Sequence, residues 1–218
     1  MHLIDARKKI MCGRYVITKP VTKTRDLVKS VNVVNDVDNY NAHPTQKLPV
    51  IKSYSNAKIL EVLQWGLTPS WTQEREIRPL INARLETLGE KMTFKNLIKN
   101  YRCLVVADGY YEWQRKENDK IPHYFTREDD RLMFFAGIYK DHQFLIITGE
   151  ASSHVADIHQ RQPVVINEED LDEYFNLKTE GTNFLKSYQA PKLKFHPVCK
   201  DVNKPTNNNK QLIEAIKN

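Results

Sequence analysis

The distribution of apolar positions is that of a chain built mostly from short strands. Continuous or alternating apolar runs, rich in Val, Ile, Leu, Tyr and Phe, occupy residues 49–52, 59–64, 103–107, 110–113, 122–126, 132–139, 144–148, 163–166 and 194–198. Gly, Pro, Asn and Asp punctuate them, so each is predicted to be a strand. The triplet Tyr15-Val16-Ile17 extends the pattern toward the N-terminus. Helical spacing with polar starts predicts helices over 24–30, 91–100, 153–160, 168–175, 183–189 and 210–217. Residues 32–45, rich in polar turn-formers, are predicted to be a long loop. Helices and strands do not alternate as a doubly wound parallel sheet requires. The expected class is α+β, a single domain with a mostly antiparallel, β-barrel-like core and peripheral helices.

Composition narrows the function classes. A chain of 218 residues with 40% hydrophobic and 28% charged residues is long enough for a sizeable core and ordinary for a globular protein. No apolar run approaches the roughly eighteen residues that a membrane-spanning helix needs, and residues 1–10 lack the apolar stretch of a signal peptide. The three cysteines, Cys12, Cys103 and Cys199, have neither disulfide-framework nor zinc-knuckle spacing. A reducing cytoplasm is the expected location, and neither a metal nor a cofactor is called for. With no Gly-rich phosphate loop, a nucleotide cradle is not expected. The net charge of +6 favours a polyanionic partner, although a solubilising surface would look the same.

Four segments concentrate chemistry-bearing residues. Trp65 and Trp71 flank a loop broken by Gly66 and Pro69; each is either a core anchor or a platform on which unpaired bases stack, with the core favoured for Trp65. In the run from Ile81 to Glu86, Asn82, Arg84 and Glu86 alternate with apolar residues, which on a strand puts all three on one face. Glu112 follows a turn at Asp108-Gly109 and stands between Tyr110-Tyr111 and Trp113. Desolvation there would let it hold a proton and serve as a general acid or base; an exposed cross-strand partner is the plainer alternative. His159, at a predicted helix end beside Arg161, is either a proton shuttle or a capping or surface residue.

Met11-Cys12-Gly13-Arg14-Tyr15 adds a fifth. If the working chain begins after Met11, Cys12 carries a free α-amine and a thiol on adjacent carbons. With reference pKa values of about 8 and about 8.5, both groups are partly nucleophilic near neutrality, and together they can condense with an aldehyde into a five-membered thiazolidine. An internal Cys12 would instead be a small buried hydrophobe.

In order, these motifs are Cys12-Gly13-Arg14-Tyr15, Tyr40-Asn41-Ala42-His43-Pro44-Thr45-Gln46, Trp65-Gly66-Leu67 with Pro69 and Trp71, Asn82-Ala83-Arg84 with Glu86, Gly109-Tyr110-Tyr111-Glu112-Trp113, Phe135-Ala136-Gly137 and His159-Gln160-Arg161. Together they resemble the SOS response-associated peptidase family, the abasic-site processing proteins, over about residues 11 to 200. The resemblance implies an α+β domain around a barrel-like core with a basic groove for single-stranded DNA. It implies that Cys12 forms a thiazolidine with the ring-opened aldehyde of an abasic site and so shields the lesion from cleavage. Asn82 would position the amine or the sugar, Glu112 would help open the ring and shuttle protons, and His159 would protonate the sugar oxygen and take part in reversal. Arg14, Arg84 and Arg161 would neutralise phosphates, and Trp71 would stack.

One departure is Gln162, where the family usually has Met. Another is the extension ahead of Cys12: residues 1–11 are expected to be absent from the working protein, which is then one domain over 12–218. A monomer is expected, because one covalent bond to one strand needs no symmetry partner. Two other readings stay open, a thiol peptidase using Cys12 and His159, and a single-strand-binding module without chemistry.

Overall fold

The computed structural model describes residues 13–55, 57–68, 78–117 and 119–216. The first part of the chain runs β1 (Tyr15–Ile17), α1 (Pro20–Thr24), β2 (Ser30–Val31), β3 (Asn39–Ala42), β4 (Lys47–Tyr54), β5 (Ala57–Trp65) and β6 (Asn82–Arg84). After a one-turn 3-10 helix at Leu85–Thr87 follow α2 (Met92–Asn100), β7 (Arg102–Ala107), β8 (Gly109–Lys116), β9 (Asp119–Arg127), β10 (Met133–Lys140) and β11 (Gln143–Glu150). The last part holds α3 (Ser153–Ala156), β12 (Arg161–Pro163), β13 (Val165–Ile166), α4 (Leu171–Phe175), α5 (Gly181–Ser187) and β14 (Leu193–Pro197).

The larger, nine-stranded sheet closes on itself. Antiparallel pairing runs from β5 through β4, β7 and β10 to β11, and β11 returns to β5 in parallel, with Gln143 opposite Gln64 and Phe144 opposite Trp65. A closed ring has few free edges. β7 is buried along its whole length, and over residues 103–107 it reads as an unbroken apolar run. Among the described residues Trp65 is the largest fully buried side chain, stacked on Phe144 with ring planes 12° apart and donating from Nε1 to the Ile81 carbonyl at 3.0 Å.

The smaller sheet has five strands in the order β14-β9-β8-β1-β3. The chain crosses from one sheet to the other at Asp108-Gly109, between β7 and β8. Only glycine fits there, because a Cβ on residue 109 would lie 2.3 Å from the Phe125 carbonyl oxygen. Strand alternation then sends Tyr15, Tyr110 and Phe125 into the barrel core, while Val16, Tyr111 and Tyr124 point away from it. That outer face is covered by the C-terminal segment through Val198, Val202 and Leu212.

The α+β class and the barrel-like core hold, and several local expectations do not. The helix predicted over 24–30 lies earlier, at Pro20–Thr24: proline sits in its first turn, and the Asp36 carboxylate accepts from the backbone of Val21 (2.8 Å) and Thr22 (3.2 Å). The predicted loop over 32–45 contains β3, paired with β1. The run at 163–166 is two strands, because Val164 donates to Ile147 on β11 and accepts from Ala136 on β10. The helix expected over 153–160 stops at Ala156, and 210–217 forms a 3-10 turn at Lys210–Ile213 before Ala215 bridges to Val198. Among the described residues, no helix is long and apolar enough to cross a membrane.

Candidate active site

The site begins where β1 meets β8. Tyr15 pairs with Tyr110 and Val16 with Gly109, and the Tyr111 N–H donates to the Arg14 carbonyl at 3.0 Å. Continued by the same register, the ladder brings half-buried Gly13 across from Glu112. Cys12, bonded to Gly13, lies outside the described residues, as do Trp71 and residues 1–11.

Glu112 is 4% exposed, on the barrel side of its strand. Its Oε1 accepts from the Trp113 N–H at 3.2 Å, and its Oε2 stands 4.0 Å from Nδ1 of His159. It is thus a desolvated carboxylate rather than an exposed cross-strand partner. His159, 6% exposed, is likewise neither a surface residue nor a helix cap; it lies in the turn between α3 and β12. Its Nδ1 is 3.2 Å from both the backbone N–H and the carbonyl of Arg161. A bare Nδ1 can accept from the first and a protonated one can donate to the second, so both protonation states have a partner. Nε2 is buried with no hydrogen-bond partner among the described residues. Such an atom costs about 1–3 kcal/mol and marks a position that a ligand can satisfy.

Asn82 and Arg84 lie on β6, which runs parallel to β11 with Asn82 opposite Ile146 and Arg84 opposite Thr148. The Asn82 side chain is half-buried and reaches the Ile146 carbonyl only at 3.5 Å. Arg84 is exposed. Glu86 does not continue that strand face, because the chain turns into the 3-10 helix at Leu85. There Glu86 forks Arg161: Nη1 donates to Oε1 and Nη2 to Oε2, both at 2.9 Å. Burial pushes the Glu86 carboxyl up, but hydrogen bonds from Arg161 and the charges of Arg161 and Arg84 outweigh it and hold the group below its ordinary value. Arg161 is therefore a paired cation, not a free one.

Arg14 stands on the other side of the sheet. Period two puts it with Val16 on the outer face, opposite to Glu112. Its Nη1 donates to Asn41 Oδ1 (2.7 Å) and to the Val202 carbonyl (2.8 Å), and burial lowers its pKa against an opposing effect of Tyr111. Asn41, 1% exposed, donates in turn to the carbonyls of Val202 (3.3 Å), Lys204 (3.0 Å) and Asn207 (2.9 Å). This pair clamps the C-terminal cover to the sheet.

Sequence reasoning passed over one residue at the site. His123, 6% exposed, lies directly opposite Glu112 in the β8–β9 hairpin and so shares its face. Counting back in pairs from the hairpin's Lys116–Asp119 end would have found it. Gln162, 8% exposed, accepts from the backbone N–H of Ser152 at 3.1 Å, which ties the start of α3 to β12 just past His159. Among the described residues no group of three or more His, Cys, Asp or Glu could hold a metal ion.

A family model described as SOS response associated peptidase (SRAP) matches residues 11–205. Abasic site processing protein YoaM of Bacillus subtilis (strain 168) is 34% identical over 223 residues, covering 94% of this chain and 98% of its own length. Abasic site processing protein YoqW of the same organism is 31% identical over 226 residues, covering 94% of this chain and all of its own. A crystal structure of a protein from Bacteroides thetaiotaomicron superposes with a TM-score of 0.80 at 25% identity, covering 94% of this chain and 100% of that one.

Proposed function

The chain belongs to the SOS response associated peptidase family, and from that premise we propose that it captures abasic sites in single-stranded DNA as a thiazolidine at Cys12. The relatives' names supply the substrate class. The observation that carries the chemistry is the buried pair Glu112 and His159, 4.0 Å apart, across from the residue to which Cys12 is bonded.

The steps balance with the protein's own groups. The α-amine of Cys12 adds to the C1′ aldehyde of the ring-opened sugar, forming a C–N bond, and Glu112 takes the proton that the nitrogen sheds. The alkoxide draws a proton from His159 to give the carbinolamine, Glu112 returns its proton to that hydroxyl, which departs as water, and the nitrogen's remaining proton resets His159, leaving an imine. The Cys12 sulfur then adds to the imine carbon, and its proton ends on the nitrogen. The net change is the loss of one water. Asn82 orients the amine or the sugar from β6, and exposed Arg84 faces the phosphates. Both nucleophiles belong to an N-terminal residue, so residues 1–11 must be gone from the active form. One strand and one bond need only a monomer.

The test is intact-protein mass spectrometry on protein verified to begin at Cys12, mixed with a single-stranded oligonucleotide carrying one abasic site. The expected adduct has the summed mass less one water and is lost in Cys12→Ala. No adduct from the verified protein sinks the proposal. Cys12-dependent cleavage of an unrelated peptide would point to the peptidase instead, and salt-sensitive binding without either product to a chemically idle module.

A further inference from the structure

We infer that Glu86 is a built-in stand-in for a DNA phosphate, occupying Arg161 in the free protein and giving it up when a strand binds; this rests on the single-strand reading above. A carboxylate and a phosphate present the same two-oxygen edge to a guanidinium, so the two compete for one fork. That fork is full. Nη1 and Nη2 each donate to Glu86 at 2.9 Å, and Nη2 also donates to the Thr148 carbonyl at 2.6 Å. Nε is buried with no partner among the described residues, and the Arg161 side chain is only 14% exposed. No phosphate can take the fork while Glu86 holds it.

Glu86 is the partner free to move. Its side chain is 41% exposed and lines an open groove of ≈ 390 Å³ that also contains Lys186, a cation toward which a displaced carboxylate can turn. Arg161, by contrast, is held on β12, with its backbone against the His159 ring and its Nη2 on Thr148. Arg84 lies close enough for its charge to act on Glu86. In the free protein the two arginines and Glu86 together carry one net positive charge, and exchange of Glu86 for phosphate presents two. Glu86 thus sets how tightly undamaged single strands are held, and keeps the protein from being sequestered on DNA without a lesion.

The test is fluorescence anisotropy with an undamaged single-stranded oligonucleotide across a salt titration, comparing the wild type, Glu86→Gln and Glu214→Gln, which removes one negative charge from the C-terminal cover. Glu86→Gln is expected to bind about threefold to tenfold tighter at low salt, with a slope of log affinity on log salt steeper by about 0.7, the value for one more phosphate contact on a single strand. Glu214→Gln should do neither. In an Arg161→Ala background most of the gain should disappear. If the wild type binds and Glu86→Gln, folded to the same melting temperature, binds equally or more weakly, Glu86 merely supports Arg161 and the inference is overturned. If no variant binds, the single-strand reading falls and takes the inference with it.

Discussion

The two faces of the five-stranded sheet carry residues that are neighbours in sequence but are used in different ways. On the outer face Arg14, Asn41 and Tyr111 are committed to structure: Arg14 reaches Asn41 and Val202, Asn41 reaches three carbonyls, and the Tyr111 hydroxyl donates to the Tyr40 carbonyl at 2.9 Å. On the inner face Glu112 and His159 stand 4.0 Å apart, too far for a direct hydrogen bond, and His159 keeps a buried nitrogen unpartnered among the described residues. Saturated polar networks rigidify, whereas an unpartnered buried nitrogen such as Nε2 of His159 marks a position that a ligand can satisfy. The contrast separates support from chemistry within one motif, Tyr111 belonging to the first and Glu112 to the second.

The largest effect should come from the inner face. Glu112→Gln keeps size and hydrogen-bonding capacity but removes the proton acceptor, so the cross-linking rate should fall by about 10²–10⁴-fold. Melting temperature should change little, since Gln can still accept from the Trp113 N–H. Single-turnover gel kinetics with an abasic oligonucleotide measure the rate. A rate within a fewfold of wild type would remove Glu112 from the chemistry and end the contrast.

The outer face should answer in the opposite currency. Asn41→Ala leaves three carbonyls without their shared donor and deprives Arg14 of one of its two acceptors, a cost of about 2–4 kcal/mol for a largely desolvated network. Denaturant unfolding should register that loss, while the folded fraction should cross-link at the wild-type rate. If Asn41→Ala instead slows the reaction and leaves stability intact, the outer face takes part in catalysis.

How much of this was legible depends on the range of the forces involved. The barrel strands could be read because runs such as residues 103–107 of β7 are apolar at every position, and Glu112 stood out because large aromatic residues surround it. Period two in the sequence separates Arg14 from Gly13, but nothing local says which of the two faces the barrel. Asn41 looked like loop because the carbonyls to which its side chain donates lie 161 to 166 residues away. Arg161 looked like a free cation because Glu86, 75 residues off, leaves its expected strand face only when the chain turns at Leu85. The meeting of Glu112 with His159 depends on how the turn after α3 lies over β8, which no local pattern encodes.

The smallest effect probes a residue that shares the inner face without a part in the proposed steps. His123 is faced by Glu112 from β8 and by Phe195 from β14, its Nδ1 is 3.1 Å from the Ile121 carbonyl, and the charges of His196 and Lys116 act on it. Burial lowers its pKa; the Ile121 hydrogen bond works the other way, and the charges of His196 and Lys116 add to the lowering. Because the folded-state value lies below the ordinary 6.5, the unfolded chain takes up the proton first. Stability is therefore fully present above about pH 6.5 and is lost as pH falls from there through the folded-state value. His123→Phe keeps a ring against Phe195 and removes the titration, so its stability should fall less than that of the wild type between pH 6.5 and about 5, above the range where ordinary carboxylates titrate. Denaturant midpoints across that window measure the difference. The pH profile of cross-linking gives the second readout: if it is unchanged, His123 is packing beside the chemistry, and if it shifts, His123 acts through Glu112 and the inner face holds a third positioning residue.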